Sequence, residues 1–328
     1  MIRRSPGEKL EIIHLVEHSE LSITKTLKEL DVPRTTFYRW YQQYQEDGIE
    51  GLQDKNPGPK QYWNKIPEEV KEQVVEEALS NPDKSSRELA WDFVDRMGYY
   101  ISESSVYRIL KSYDLIQNPV FEMIPAKDKF EKPTKRAHEL WQTDFTQFKI
   151  INWGWYYLST VIDDYSRFIL AWQLGSTMNA DDVENTLNAA LSFSGVSKAR
   201  VRHRPRLLSD NGPAYLSKQL AEYLKEQEMK HVRGAPFHPM TQGKIERWHR
   251  SLKNVVRLQH YYIPSQLEKE IEAFVNYYNH ERYHESLDNM TPADVYFGRV
   301  KEVKTRREKI KEETMRKRRQ LHWRTVRV

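Results

Sequence analysis

The sequence predicts two all-α trihelical units followed by an α/β unit built on a mixed, five-stranded sheet. Three observations predict this. Apolar residues recur at helical spacing in groups of three segments, twice over, before residue 117. Beyond residue 139 the pattern changes to three consecutive runs rich in aromatic and β-branched residues. Short apolar runs then alternate with amphipathic segments, giving the order βββαβαβα, which is not that of a doubly wound parallel sheet.

The first unit spans residues 1–50. Pro6 to Glu17 carries Leu10, Ile13 and Val16 at helical spacing, and Ser22 to Leu30 carries Ile23, Leu27 and Leu30. In LDVPRTTFYRWYQQYQ, Pro33 suits the first turn of a third helix, with Phe37, Trp40 and Tyr44 on one face. That is the layout of a helix-turn-helix, whose last helix enters the major groove with its N-terminal part. Arg34, Thr35, Thr36 and Arg39 are therefore candidate DNA contacts; an ordinary three-helix bundle is the competing reading. Residues 51–63, with Gly51, Pro57, Gly58 and Pro59, read as a linker.

The second unit spans residues 64–117. Pro67 to Leu79 is its first helix. SSRELAWDFVDRMG opens on a capping box, Ser85 with Glu88, and stops at Gly98. Ser102 caps a last helix that buries Val106, Ile109 and Leu110 and leaves Ser104, Ser105, Arg108 and Lys111 as candidate DNA contacts. Two such units in tandem strengthen the case for DNA reading. Residues 118–138, with Pro119, Pro125 and Pro133, form a connector.

The α/β unit spans residues 139–298. WQTDFTQFKI, WYYLSTVID and RFILAWQLG are separated by short turns and suggest an antiparallel meander. MNADDVENTLNAALSFS is an amphipathic helix, RPRLLSDNG a short strand, LSKQLAEYLKEQEM a helix and KHVRGA a strand. A further helix begins in GKIERWHRSLKNVVRLQ. Residues 299–328 read as a basic tail: 13 Lys or Arg against 4 Glu give it +9 of a net +5, leaving −4 elsewhere. Such a segment is either solvated or bound to a polyanion, and nucleic acid is the natural one.

Composition narrows the chemistry. Cysteine is absent, which excludes disulfides and every Cys-containing zinc site. No run of about 18 apolar residues exists and the N-terminus lacks a signal-like apolar core. The expectation is a soluble, unsecreted, cytoplasmic protein without a membrane partner.

Three acids stand out by position. Asp144 lies inside the first strand, where Asp is disfavoured. Asp210 ends the fourth strand before Asn211-Gly212, and Glu246 sits among cations on the helix after the fifth strand. Each has an ordinary explanation: a pairing acid, a turn residue, and an i,i+4 partner of Arg250. If the first and fourth strands are neighbours, however, the three converge. Acids facing one another need a cation, and hard oxygen ligands suit Mg²⁺ or Mn²⁺. Two such ions flanking a phosphodiester would activate the attacking oxygen and stabilise the leaving one. Asp163 and Asp164 read instead as a turn with an ion pair to Arg167, and His280 and His284 as structural or phosphate-side residues rather than a metal pair.

WQTDFT around Asp144, VIDDYSR from Val161, LLSDNGPAY around Asp210 and HPMTQGKIERWHRSLK around Glu246 together resemble the integrase core of DDE-type transposases and retroviral integrases. The likeness is strongest to the bacterial insertion-sequence branch. Thirty-five residues separate Asp210 from Glu246, the spacing typical of that branch. YYNHERYHESLDNMTPADVYFG is similar to the family's closing segment and LDVPRTTFYRWYQQYQEDGIEGL to its N-terminal helix-turn-helix. The resemblance implies an RNase H-like catalytic fold. It also implies a transposase that frees 3′-hydroxyls at the ends of a mobile element and joins them to target DNA. Asp144, Asp210 and Glu246 would hold two Mg²⁺ ions, with Mn²⁺ able to substitute, and Thr241-Gln242-Gly243 would form a mobile approach to Glu246. Lys244, Arg247, Arg250 and Lys253 would line the DNA path, and the helix-turn-helix units would read terminal inverted repeats on double-stranded DNA. Joining two ends in concert implies a homo-oligomer on DNA, a dimer or tetramer, working at the bacterial nucleoid. Two alternatives are a non-enzymatic DNA-binding regulator derived from a transposase and an RNase H-like nuclease acting on hybrids.

Overall fold

A computed structural model describes residues 4–19, 21–53, 62–116, 134–196, 204–233, 243–256 and 261–326. Most of the expected linker and connector, and Thr241-Gln242, lie outside the described residues. The chain divides into two compact units, Met1–Trp63 and Asn64–Val328.

In the first unit, Ser5 caps α1 (Pro6–Glu17) through a reciprocal capping box with Glu8. With α2 (Ile23–Glu29) and α3 (Arg34–Gly51), α1 encloses Ile13, Leu27, Phe37 and Trp40. Gly48 adopts φ 63° inside α3, and the chain then folds back so closely that a Cβ at Gly51 would collide with the Gln43 carbonyl. Gly51 and Leu52, the expected start of a linker, therefore complete this unit. Leu52 is buried and its carbonyl accepts from Lys9 Nζ at 3.0 Å.

The second unit opens with α4 (Glu68–Ser80), α5 (Ser86–Met97) and α6 (Glu103–Ser112), packed around Val74, Leu89, Phe93 and Val106. Ser85 and Glu88 form the expected capping box, and Gly98 ends α5 in the left-handed conformation. Ser102 caps α6 as expected.

The sheet follows. β1 (Leu140–Ile150), β2 (Gly154–Asp163) and β3 (Ile169–Gly175) form the antiparallel meander, while β4 (Arg206–Ser209) and β5 (His231–Arg233) run parallel to β1. The order is β3-β2-β1-β4-β5, a mixed five-stranded sheet. Side-chain alternation gives it two buried faces. Val161 and Leu170 join one core with α7 (Ala180–Ser194), α8 (Pro213–Leu216) and α9 (Lys218–Glu226). Ile162 and Ile169 join the other, with α10 (Gly243–Val256) and α11 (Pro264–His280). Trp248 of α10 is fully buried there; side chains of that kind each hold about 3–5 kcal/mol against truncation.

After α12 (Pro292–Tyr296), the segment expected to be a tail is a 27-residue helix, α13 (Val300–Val326). Val300 and Val303 pack with Met290 and Val295 at its start, and beyond them arginines hold it. Arg307 donates to Asp95 from Nε at 3.0 Å and Nη2 at 2.7 Å, and its guanidinium lies 4.3 Å from the centre of the Trp91 ring. Arg306 and the Tyr283 hydroxyl also donate to Asp95. Further along, Arg318 donates to the Tyr99 hydroxyl and the Tyr100 carbonyl, and Thr314 accepts from Tyr100 N–H. Burial pushes the Asp95 pKa up, but the hydrogen bonds and charge of Arg307 prevail and hold it below the usual range. Among the described residues no helix is long and apolar enough to cross a membrane.

Removing the carboxylate by Asp95→Ala leaves Arg307 buried without its partner. The expected loss is roughly 3 kcal/mol in urea denaturation, because breaking such a pair strands a charge. Asp95→Asn, which keeps an acceptor, should lose clearly less.

Candidate active site

β1 and β4 pair in parallel with a constant offset of 66 residues, Leu140 opposite Arg206 and Gln142 opposite Leu208. Continuing that offset carries Asp144 to Asp210, the residue just beyond β4. Tyr215 reports their proximity. It is buried, and its pKa is driven well above the usual value by burial, by the charge of Asp144 and by that of Asp210. The Asp144 carboxylate accepts from Phe145 N–H at 2.8 Å and remains one-fifth exposed. Asp210 is exposed and accepts from Gly212 N–H at 2.9 Å. A Cβ at position 212 would stand 3.1 Å from Asp210 Oδ1, so glycine there lets the turn close on the carboxylate.

The third acid is delivered by α10. Ile245, Trp248, Leu252 and Val256 form an inward stripe at helical spacing, which turns Glu246, Arg247 and Arg250 outward. Glu246 lies in the first turn, where the helix dipole favours an anion. The start of the helix is fixed by a buried polar knot. Gln142 accepts from Ile245 N–H at 3.3 Å and donates to Asp164 at 2.7 Å. Asp164 also accepts from Thr134 at 2.6 Å and from Lys244 Nζ at 2.8 Å. One turn on from Glu246, His249 places Nδ1 3.4 Å from Asp144 Oδ2. Gln142 and Asp144 share one face of β1, so both reach α10.

The three carboxylates are not clustered as ligands of a single ion. Among the described residues only His14, Glu17 and His18, exposed on the last turn of α1, bring three donor atoms within 4.8 Å of one another. An all-oxygen set with two exposed members is the donor chemistry Mg²⁺ selects, leaving room for water and phosphate.

The integrase core domain family matches residues 134–239, and a second integrase core domain family matches residues 227–292. Homeodomain-like domain families match residues 3–53 and 36–110. The putative transposase InsK for insertion sequence element IS150 of Escherichia coli is 23% identical over 83% of this chain and 92% of its own length. The chain carries an integrase core domain behind homeodomain-like segments and is similar along most of its length to a bacterial insertion-sequence transposase. A segment of the chain is also similar to retroviral sequences. The Gag-Pro-Pol polyprotein of simian retrovirus SRV-1 is 35% identical over 36% of this chain, a match spanning only 6% of the polyprotein. The HTLV-2 integrase catalytic core domain, solved in complex with magnesium, is 21% identical and covers 49% of this chain and 97% of that one, with a TM-score of 0.40.

Several expected residues fall on the surfaces their spacing predicts. Arg34, Thr35 and Arg39 are exposed on the first turns of α3, with Thr36 half-buried beside them. On α6, Arg108 and Lys111 are exposed, while Ser104 and Ser105 join the hydrogen bonds around the Ser102 cap. Arg247 and Arg250 are exposed beside Glu246, and Lys253 is half-buried. Lys244 differs: its ammonium is taken up by the Asp164 carboxylate and carbonyl instead of being offered to DNA. The partner of Asp164 is accordingly Lys244, not Arg167. Asp163 does close a turn, accepting from Ser166 N–H and Oγ–H. His280 packs edge-on against Phe168, and His284 against Tyr278. His249 and Gln142 are site residues that the sequence alone does not single out. The signal for each is periodicity, a histidine one turn from Glu246 inside an apolar stripe and a glutamine two residues from Asp144.

Two measurements check this geometry. Lys244→Met should destabilise the fold by roughly 3 kcal/mol, through loss of a buried pair, and should leave the salt dependence of DNA binding unchanged. Burial, followed by the charges of Arg282, Arg167 and Arg87, holds the His284 pKa down at about 3. His284 thus stays neutral in the fold while its unfolded counterpart takes a proton near pH 6.5. Its contribution is complete above that pH and is lost progressively as pH falls from about 6.5 towards 3. His284→Gln should flatten the dependence of stability on pH in that window.

Proposed function

We propose that the protein cleaves the ends of a mobile DNA element to give 3′-hydroxyls and joins them to target DNA by transesterification. The observation that carries this reading is the register of β1 with β4, which brings Asp144 to Asp210 beneath the helix that bears Glu246. Asp144, Asp210 and Glu246 would hold two Mg²⁺ ions, with Mn²⁺ able to substitute. Bound there, the metal would supply Lewis-acid activation of the attacking oxygen and stabilisation of the leaving one. His249 orients the Asp144 carboxylate, and the Gln142–Asp164–Lys244 knot keeps Glu246 at a fixed distance from the sheet. Arg247, Arg250 and Lys253 offer cations to phosphates approaching this edge.

The two homeodomain-like segments would recognise terminal repeats, α3 through Arg34, Thr35, Thr36 and Arg39 and α6 through Arg108 and Lys111, with Ser104 and Ser105 beside the cap. Coordinated joining of two ends calls for at least a dimer on DNA, acting at the bacterial nucleoid in the cytoplasm. The test is Asp210→Asn with end-containing duplexes. Specific end binding should persist while Mg²⁺-dependent cleavage and strand joining fall by several orders of magnitude. Cleavage at the wild-type rate in that variant would overturn the assignment.

A further inference from the structure

Charge on α13 is segregated along its length. From Val300 to Glu313 cations alternate with Glu302, Glu308, Glu312 and Glu313, and Lys304 is engaged by Asp288 at 2.6 Å. From Thr314 to Val326 the helix holds Arg316, Lys317, Arg318, Arg319 and Arg324 and no acid. Arg318 belongs to the packed face, with Arg307 and Thr314. Arg316, Lys317 and Arg324 are exposed, and Lys317 and Arg324 lie on one stripe about 10 Å apart along the axis.

This acid-free part is anchored to the second trihelical unit as well, beyond the Arg306 and Arg307 contacts with Asp95. Arg318 donates to the Tyr99 hydroxyl and the Tyr100 carbonyl, and Tyr100 N–H donates to Thr314. Arg318 also stacks over the Tyr99 ring at 5.0 Å, and Lys311 lies 5.3 Å from the centre of the Tyr100 ring. Tyr99 and Tyr100 lead through Ser102 directly into α6. The turns of α13 from Thr314 onward are thus attached to the element that introduces α6, and their exposed cations Arg316, Lys317 and Arg324 are carried on a helix fixed relative to it. A row of cations without neighbouring acids is costly to concentrate on a surface unless an anion meets it.

We infer that the C-terminal turns of α13 are a second DNA-contacting surface of this unit: they grip the phosphate backbone of the duplex that α6 addresses, flanking its groove contacts. The inference rests on the proposed reading of α6 as a DNA-facing helix. The chemistry is recognition of phosphate by guanidinium and ammonium groups, which adds affinity for any sequence and no base preference.

The experiment uses the full chain and fluorescent duplexes, one with an element end and one of scrambled sequence, titrated over a range of KCl concentrations. Arg316→Gln, Lys317→Gln and Arg324→Gln are combined, leaving Arg318 and its hydrogen bonds intact; Arg324→Gln alone, beyond the anchored stretch, guards against a folding defect. For every phosphate no longer neutralised, the slope of log affinity against log salt should become shallower by about 0.9. The triple variant should therefore be shallower by on the order of 2–3, and its affinity should drop equally for both duplexes. Arg324→Gln alone should be shallower by about 0.9, the value for a single phosphate. Arg108→Ala, by contrast, should weaken the element end more than the scrambled duplex. Unchanged slopes in both Gln variants would overturn the inference, whatever Arg108→Ala does. Reduced slopes with no preference for the element end in the wild type would uphold the α13 surface and overturn the sequence-reading role of α6.

Discussion

One buried negative charge organises the catalytic unit. Asp164 is 3% exposed, and a carboxylate so placed must be paired and hydrogen-bonded. Its donors come from three separate places: Thr134 ahead of the sheet, Gln142 within β1, and Lys244 at the start of α10. Satisfying one residue therefore sets the position of a helix relative to a strand more than a hundred residues away in sequence. Glu246 lies two residues beyond Lys244, so its location follows from that satisfaction and not from contacts of its own. The cost of burying the charge is offset by a fixed geometry at an edge that otherwise offers exposed, mutually repelling acids.

The sheet supplies the other half of the geometry by a simpler rule. Parallel pairing holds a constant offset, and its continuation carries Asp144 on β1 level with Asp210, the residue just beyond β4. Moving Asp144 by one position along β1 would turn it to the opposite face. Asp144 therefore shares the α10 side of β1 with Gln142, while Trp141 and Phe145 point into the other core.

Much of this is legible in the sequence because the decisive features are local. The helices of both trihelical units follow from apolar spacing and caps such as Ser85–Glu88 and Ser102, interactions within one turn. The three acids are conspicuous because each contradicts its surroundings: an Asp in a strand, an Asp before Asn-Gly, a Glu among cations. What the sequence hides depends on partners distant along the chain. Lys244 has the composition of a phosphate contact, and only the buried Asp164 makes it an anchor. Residues 299–328 have the composition of a solvated tail, and partners distant in the chain, Asp95, Tyr99 and Tyr100, give that helix most of its face to pack, beside Met290 and Val295 at its start. His249 is hidden for the opposite reason, since a histidine in an apolar stripe ordinarily satisfies itself within the core. Gly51 and Leu52 read as linker because Gly-rich composition signals a break, whereas here glycine permits a tight return.

The same long-range pairing sets an order of events at the ribosome. Asp95 and its principal partner Arg307 are separated by 212 positions. The three helices that include Asp95 emerge, and have their own apolar core, well before the arginine is translated. Until then Asp95 is a solvated carboxylate on a free-standing bundle, and the aromatic faces of Trp91 and Tyr99 remain uncovered. Only once α13 has been translated does it close over them. Translation of α13 is therefore coupled to assembly of the surface beside α6, and nascent fragments without it lack that surface.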